Sequence, residues 1–278
     1  MPFIGYEECL RRLRAQVEAG KPIIGAGAGT GISAKFAERG GVDLIIIYNS
    51  GRYRMAGRGS LSGLMPYGDA NAIVVDMARE VLPVVKDTPV LAGVCGTDPF
   101  RIMRVFLREL KDMGFDGVQN FPTVGLIDGN FRRALEETGM SIRLEVEMIA
   151  LAHELGMLTC PYVFDEEQAR WFTEAGADVV VAHVHTTVGG SIGVDTAMTL
   201  DEAVDRVQAI HDAAKSVNPN VMVLCHGGPI ATPEDAQYVL ERTKGVVGFF
   251  GASSIERLAT EAAIEEQARK FKSIRFNR

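Results

Sequence analysis

A closed (β/α)8 barrel is the fold that this 278-residue sequence predicts, and three observations predict it. Short apolar runs recur behind one helix-stop phrase. Glu38-Arg-Gly-Gly-Val-Asp43 precedes LIII, Met113-Gly-Phe-Asp116 precedes GVQNF, and Ala175-Gly-Ala-Asp178 precedes VVVAH. In each phrase a glycine supplies the left-handed turn that ends a helix, and the apolar run that follows suits a strand buried on both faces. Eight such runs alternate with helical patterns of roughly 10–15 residues, the order expected of a parallel α/β fold. The composition, 47% hydrophobic with 7% aromatic, suits one large packed core, and barrels of this type commonly reach ~250 residues as a single domain.

In chain order, the first 20 residues read as a helix able to cover the barrel bottom, and strands are expected at 22–27, 43–49, 89–95, 117–121, 158–163, 178–184, 220–226 and 245–251. Thr243-Lys-Gly245 repeats the helix-stop logic without the acid. Helix starts are legible at Asp165 before EEQARWF, at the capping box Thr199-Leu-Asp-Glu202, and at Thr232-Pro233, where proline takes the first helical position. Two regions, 50–71 and 122–141, exceed what a barrel needs and are expected to be long functional loops. Residues 1–278 are expected to form one domain. An open doubly wound sheet is the alternative, because alternation does not prove closure.

The net charge of -7 and the lack of a Lys/Arg run argue against nucleic acid and anionic membranes as partners. Cys9, Cys95, Cys160 and Cys225 are widely spaced without any CxxC, which reads as reduced thiols and a cytoplasmic location. Neither a leader peptide nor a membrane span is expected.

In this fold the carboxyl ends of the strands face the ligand. Strands seven and eight end in His226-Gly227-Gly228-Pro229 and Gly251-Ala252-Ser253-Ser254. Such glycine loops at a helix start suit an anion, so Gly227, Gly228, Gly251, Ala252 and Ser253 are candidate phosphate contacts. The competing reading is a plain turn with a Ser253-to-Glu256 capping box. Gly27 and Gly29, in GAGAGTG after strand one, are expected to bring backbone against substrate. A dinucleotide site is disfavoured because Tyr48 and Asn49, not an acid, close strand two. Asn49, Ser50 and Asn120 add polar strand ends. Arg52 and Arg54, with Arg58, could clamp a carboxylate or phosphate, or be solvated surface arginines. His183 and His226 could move protons at neutral pH, or be satisfied core histidines. Glu145 could reach the mouth or favour a helix dipole. His183 and His185, two apart on one strand, would share a face as a metal pair, but no carboxylate partner is obvious.

At these residues the chain resembles the phosphoenolpyruvate hydrolase-like TIM-barrel family, whose barrel also occurs C-terminal to ATP-binding domains like that of the tomato virus-resistance protein Tm-1. The stretches that carry the resemblance span nearly the whole chain: GAGAGTGISAKFAERGGVDLIIIYNSGRYRMAGRGSLSGLMPYGDAN, PVLAGVCGTDPF, GVQNFPTVGLIDG, LEETGM, CPYVF, AGADVVVAH, CHGGPIATPEDAQYVL and GFFGASSIERL. The resemblance implies kinship to the phosphoenolpyruvate/pyruvate barrels. It implies a small anionic substrate, homo-oligomeric assembly, and an enzyme that cleaves a P–O, C–P or C–C bond in a phosphorylated or 2-oxo acid. The alternative it leaves is a non-catalytic metabolite-binding signalling module, with a Tm-1-like ATP-binding protein as a partner. It also implies magnesium held by an acidic cluster. Here Asn49 and Asn120 stand where acids would be wanted, Cys95-Gly-Thr-Asp98 matches the family's mobile loop poorly, and no metal ligand is assigned.

Overall fold

A computed structural model describes residues 4–195 and 197–276. Nine parallel strands form one sheet: β1 Ile23–Gly27, β2 Leu44–Ile47, β3 Val90–Val94, β4 Gly117–Asn120, β5 Leu158–Thr159, β6 Tyr162–Val163, β7 Val179–His183, β8 Met222–His226 and β9 Gly248–Gly251. Their order is β5-β4-β3-β2-β1-β9-β8-β7-β6. The two ends of that order, β5 and β6, are halves of one continuous segment, so the sheet closes into a barrel with eight staves.

The fifth stave, expected as one strand over 158–163, is broken at Cys160 and Pro161 because proline has no N–H for the ladder. The side chains of β4 bridge the break. Gln119 Nε2 donates to the Cys160 carbonyl at 2.9 Å, and Asn120 Oδ1 accepts from Tyr162 N at 2.7 Å.

The helix-stop phrases work as expected. Gly41, Gly114, Gly176 and Gly245 all adopt positive φ, between 80° and 106°. The acids after three of them close the barrel bottom, where each carboxylate accepts an amide at the foot of the preceding stave of the barrel. Asp43 takes Ile24 N at 2.8 Å, Asp116 takes Val90 N at 3.2 Å, and Asp178 takes Thr159 N at 3.0 Å. The first helix, Tyr6–Glu18, lies under this ring. Tyr6 donates to Asp178 at 2.9 Å, and the amides of Ile4 and Gly5 donate to Asp116. Capping at Asp165, Thr199 and Thr232 is as read from the sequence.

Two departures matter for function. The region after β2 is not a plain loop: Asn49 already begins a helix, Asn49–Met55, and a 3-10 turn follows at Ser60–Leu64. The region after β4 likewise carries a 3-10 turn, Val124–Leu126, and a helix, Gly129–Glu137. No described helix is long and apolar enough to cross a membrane.

Candidate functional site

A set of aromatic rings packs together inside the barrel. A Cβ on Gly25 would lie 2.4 Å from the Phe250 ring, so glycine at that position of β1 makes room for Phe250 in the interior. Around it stand Tyr162, His226 and His183. Tyr162 is 4.8 Å from His226 and 4.9 Å from His183, the two histidines are 4.5 Å apart, and Phe164 is 4.7 Å from His183, all between ring centroids. Above this floor lies a small cavity of about 30 Å³ that opens to solvent. Its wall includes Tyr48, Ser50, Arg54, Ser60, Phe121, Tyr162, His183, Thr186, Thr187, His226, Ala252 and Ser253.

The two histidines are held in opposite states. His226 Nδ1 faces the Phe250 carbonyl at 2.5 Å. A carbonyl can only accept, so Nδ1 carries the proton and Nε2 of the neutral ring is a bare lone pair. His183 Nδ1 accepts the His185 amide at 3.1 Å, so the proton of its neutral ring sits on Nε2. Burial pushes His226 down to about 4. Burial, with His226 and His185 nearby, holds His183 well below the usual histidine value. At neutral pH the cavity therefore contains one imidazole acceptor beside one imidazole donor, both uncharged.

Arg54 projects from the short helix after β2 with its side chain about 1% exposed, and its Nη2 pairs with Glu256 Oε2 at 3.1 Å. Glu256 lies in a π-helical turn, Ser253–Arg257, after β9, so it does not close the capping box that its spacing from Ser253 suggests. Its Oε1 instead accepts the Gly29 amide and the Ser33 hydroxyl, the latter at 2.5 Å. One buried carboxylate thus ties the β1 loop, the β2 helix and the β9 turn together. Arg54 Nε and the Tyr162 hydroxyl are buried without a hydrogen-bond partner.

Of the residues singled out from the sequence, Ser50, Arg54, His183, His226, Ala252 and Ser253 meet on the cavity wall. Gly27 lies just beneath, where a Cβ would press within 3.1 Å of Arg54 Nη2 and against Ala252. Others are engaged elsewhere. Arg52 reaches outward to Asp76 at 3.1 Å. Asn49 donates to the Gly63 carbonyl at 2.9 Å. Gly29 packs so tightly that a Cβ would lie 2.0 Å from the Gly51 carbonyl oxygen. Gly251 sits under the π turn, where a Cβ would lie 2.7 Å from Ile255 and Ser254. The Gly228 amide donates to the His185 carbonyl at 2.8 Å, and a Cβ on Gly227 or Gly228 would strike the carbonyl oxygens of His185 and Val184.

Glu145 is fully buried and lies outside the cavity lining. It accepts from Asn120 Nδ2 and Thr123 Oγ1 at 2.7 Å each, and from Val124 N at 2.8 Å. Burial nonetheless pushes its carboxyl up to about 7. His185 does not share a face with His183, because the strand ends at His183 and His185 turns out to solvent at φ 90°.

Sequence reasoning did not bring Tyr162 forward, and it saw Glu256 only as a capping residue. The only sign of Tyr162 was its place just after Pro161, and nothing local to Glu256 foretells an arginine 202 positions away.

Magnesium wants several oxygen ligands, usually with one or two carboxylates. Glu145 and Glu256 spend their oxygens on protein donors, and no group of three or more His, Cys, Asp or Glu suited to a metal exists among the described residues. The residues present do not fit that ion.

Comparison with known proteins agrees with this architecture. The chain is 64% identical over 265 residues to the ToMV susceptible protein tm-1(GCR26) of Solanum lycopersicum, covering 95% of this chain but only 35% of that protein. Among solved structures it is similar to a phosphonopyruvate hydrolase in complex with oxalate and Mg++, at 18% identity and TM-score 0.58, covering 95% of this chain and 87% of that one. It is also similar to an oxaloacetate acetylhydrolase, at 15% identity and TM-score 0.61, covering 98% and 88%. At such identities the structures speak for the shared TIM-barrel fold alone. The profile described as phosphoenolpyruvate hydrolase-like matches residues 8–274, and with it the chain belongs to the phosphoenolpyruvate hydrolase-like family.

Proposed function

We propose that the cavity is an active site for a small phosphorylated or 2-oxo carboxylic acid, at which a P–O, C–P or C–C bond is cleaved. The observation that carries this reading is the His183–His226 pair, 4.5 Å apart, with one bare Nε2 and one protonated Nε2 at the same cavity. Such a pair can take a proton from one substrate atom and give one to another without leaving a net charge. Phosphonopyruvate hydrolase and oxaloacetate acetylhydrolase, which share the fold, act on small acids of this class by name.

One observation favours a second reading, a metabolite sensor without turnover. With its pKa near 4, His226 is a weak base at neutral pH until a bound anion raises it. The test is a thermal-shift screen of small acids, followed by pyruvate-, oxalate- and phosphate-release assays on the hits. Release abolished by His226→Asn supports the enzyme. Tight binding of the hits with no release supports the sensor.

Homo-oligomeric assembly belongs to the same proposal. The C-terminal helix Leu258–Lys272 buries none of its residues, and Ile264 and Phe271 on it are 65% and 66% exposed. A second copy of the chain would cover them, which light scattering on the eluted protein measures directly.

A further inference from the structure

We propose that the cavity seats one carboxylate of a small 2-oxo or 2-hydroxy acid on the Arg54 Nε–H and the Tyr162 O–H, and that it does not hold a phosphoryl group. This rests on the reading above for the choice of cavity and narrows its substrate class.

Two buried donors without partners carry the inference. Arg54 and Tyr162 are 3% and 1% exposed, both line the cavity, and Arg54 Nε and Tyr162 Oη alike lack a hydrogen-bond partner. Buried polar groups in native proteins are nearly always satisfied; the Tyr48 hydroxyl lies near both side chains but meets neither atom in hydrogen-bond geometry, so the two orphans call for a further acceptor. Burial keeps the Tyr162 phenol far above its usual pKa and hence protonated, a donor at any physiological pH. Both atoms ask for an oxygen that accepts, which a carboxylate supplies twice.

Charge selects the carboxylate over the phosphoryl group. Among the described residues of the cavity wall, Arg54 is the only side chain ionised at neutral pH, and its charge is already matched by Glu256 at 3.1 Å. A phosphoryl dianion would enter a site with no net positive charge, where burial of unpaired charge is costly. A monocarboxylate brings a single negative charge, which one proton taken up by His226 cancels. In the glycine turn the Gly228 amide is already spent on the His185 carbonyl, so it is not free for a phosphoryl oxygen.

The experiment is calorimetric titration of the full chain with pyruvate, glycolate, lactate and inorganic phosphate, repeated on Tyr162→Phe. The seat predicts that at least one of the three carboxylates binds, that inorganic phosphate neither binds nor competes, and that binding takes up a proton, read as a heat that varies with buffer ionisation enthalpy. Tyr162→Phe should weaken carboxylate binding by about 10- to 100-fold, the usual worth of a hydrogen bond to a charged group. Its own melting temperature should hold or rise, since the substitution removes an unsatisfied hydroxyl. Phosphate binding as tightly as the carboxylates, carboxylate binding untouched by Tyr162→Phe, or no carboxylate binding at all would each overturn the seat. Carboxylate binding that depends on Tyr162 but never leads to turnover supports the seat and counts against the enzymatic reading, so the two fail separately.

Discussion

Arg54 and Glu256, 202 positions apart in the chain, meet at 3.1 Å with about 1% of each side chain exposed. A buried pair of this kind is weak evidence of net stabilisation, because desolvation offsets much of the attraction. Removing one member is another matter. Glu256→Ala leaves a buried guanidinium charge and strands the Gly29 amide, and should cost about 3–5 kcal/mol in denaturant unfolding. The double variant Arg54→Met, Glu256→Leu should recover most of that loss while failing to bind any carboxylate. Equal instability of the single and double variants would show that the packing around the pair, not its charge, sets the cost.

Glu145 ties stability to pH in one direction. Its folded pKa is raised by burial to about 7 from an ordinary value of 4.5, so between those values the folded state holds a proton that the unfolded state has lost. Stability from this group is therefore full below pH ~4.5 and declines as pH rises through 7, by a few kcal/mol at most. Chemical denaturation at several pH values should show that decline in the wild type and its loss in Glu145→Gln.

His226 works the other way. Its folded pKa is lowered to about 4 from 6.5, so its contribution is full above pH ~6.5 and is lost as pH falls toward 4. Across pH 4.5–6.5 the two slopes oppose each other, and a wild-type profile alone will look flatter than either. His226→Asn keeps a donor for the Phe250 carbonyl but has no Nε2. Its stability should fall less on acidification than that of the wild type. On any substrate the release assays identify, kcat should drop by ~10²–10⁴-fold. Near-normal turnover by this variant would remove His226 from the chemistry.

Asn120 holds the barrel seam. Its side chain accepts from Tyr162 N at 2.7 Å and donates to the Tyr162 carbonyl at 3.2 Å and to Glu145 at 2.7 Å. Asn120→Ala leaves buried backbone and carboxylate groups unpaired beside a proline break. It should destabilise by about 2–3 kcal/mol, while Asn120→Asp, which keeps the acceptor for Tyr162 N but sets a second acid beside Glu145, should become less stable as pH rises. Melting curves of both variants at pH 5 and pH 8 test this.

The barrel was legible in the sequence because the interactions that build it are local and periodic. A left-handed glycine, an acid at the strand foot and an apolar run follow one another within a few residues at Gly41, Gly114 and Gly176, and the other staves could be read outward from those anchors. The break at Cys160-Pro161 could be read too, once proline's missing donor is considered, but its repair by Gln119 and Asn120 could not. For the site, residue type and strand position sufficed to bring His183, His226, Arg54, Ser50, Ala252 and Ser253 forward as candidates. What each of them can do was decided only in three dimensions. His183 and His226 look alike in sequence, yet the backbone groups that meet their Nδ1 atoms, an amide in one case and a carbonyl in the other, make one a donor and the other an acceptor. Arg52 and Arg54 stand two positions apart on one short helix, and the turn of that helix sends one to solvent and the other to Glu256 in the barrel mouth. Hydrogen-bond direction, burial and charge pairing depend on neighbours far away along the chain, and closure of the barrel is what brings those neighbours together.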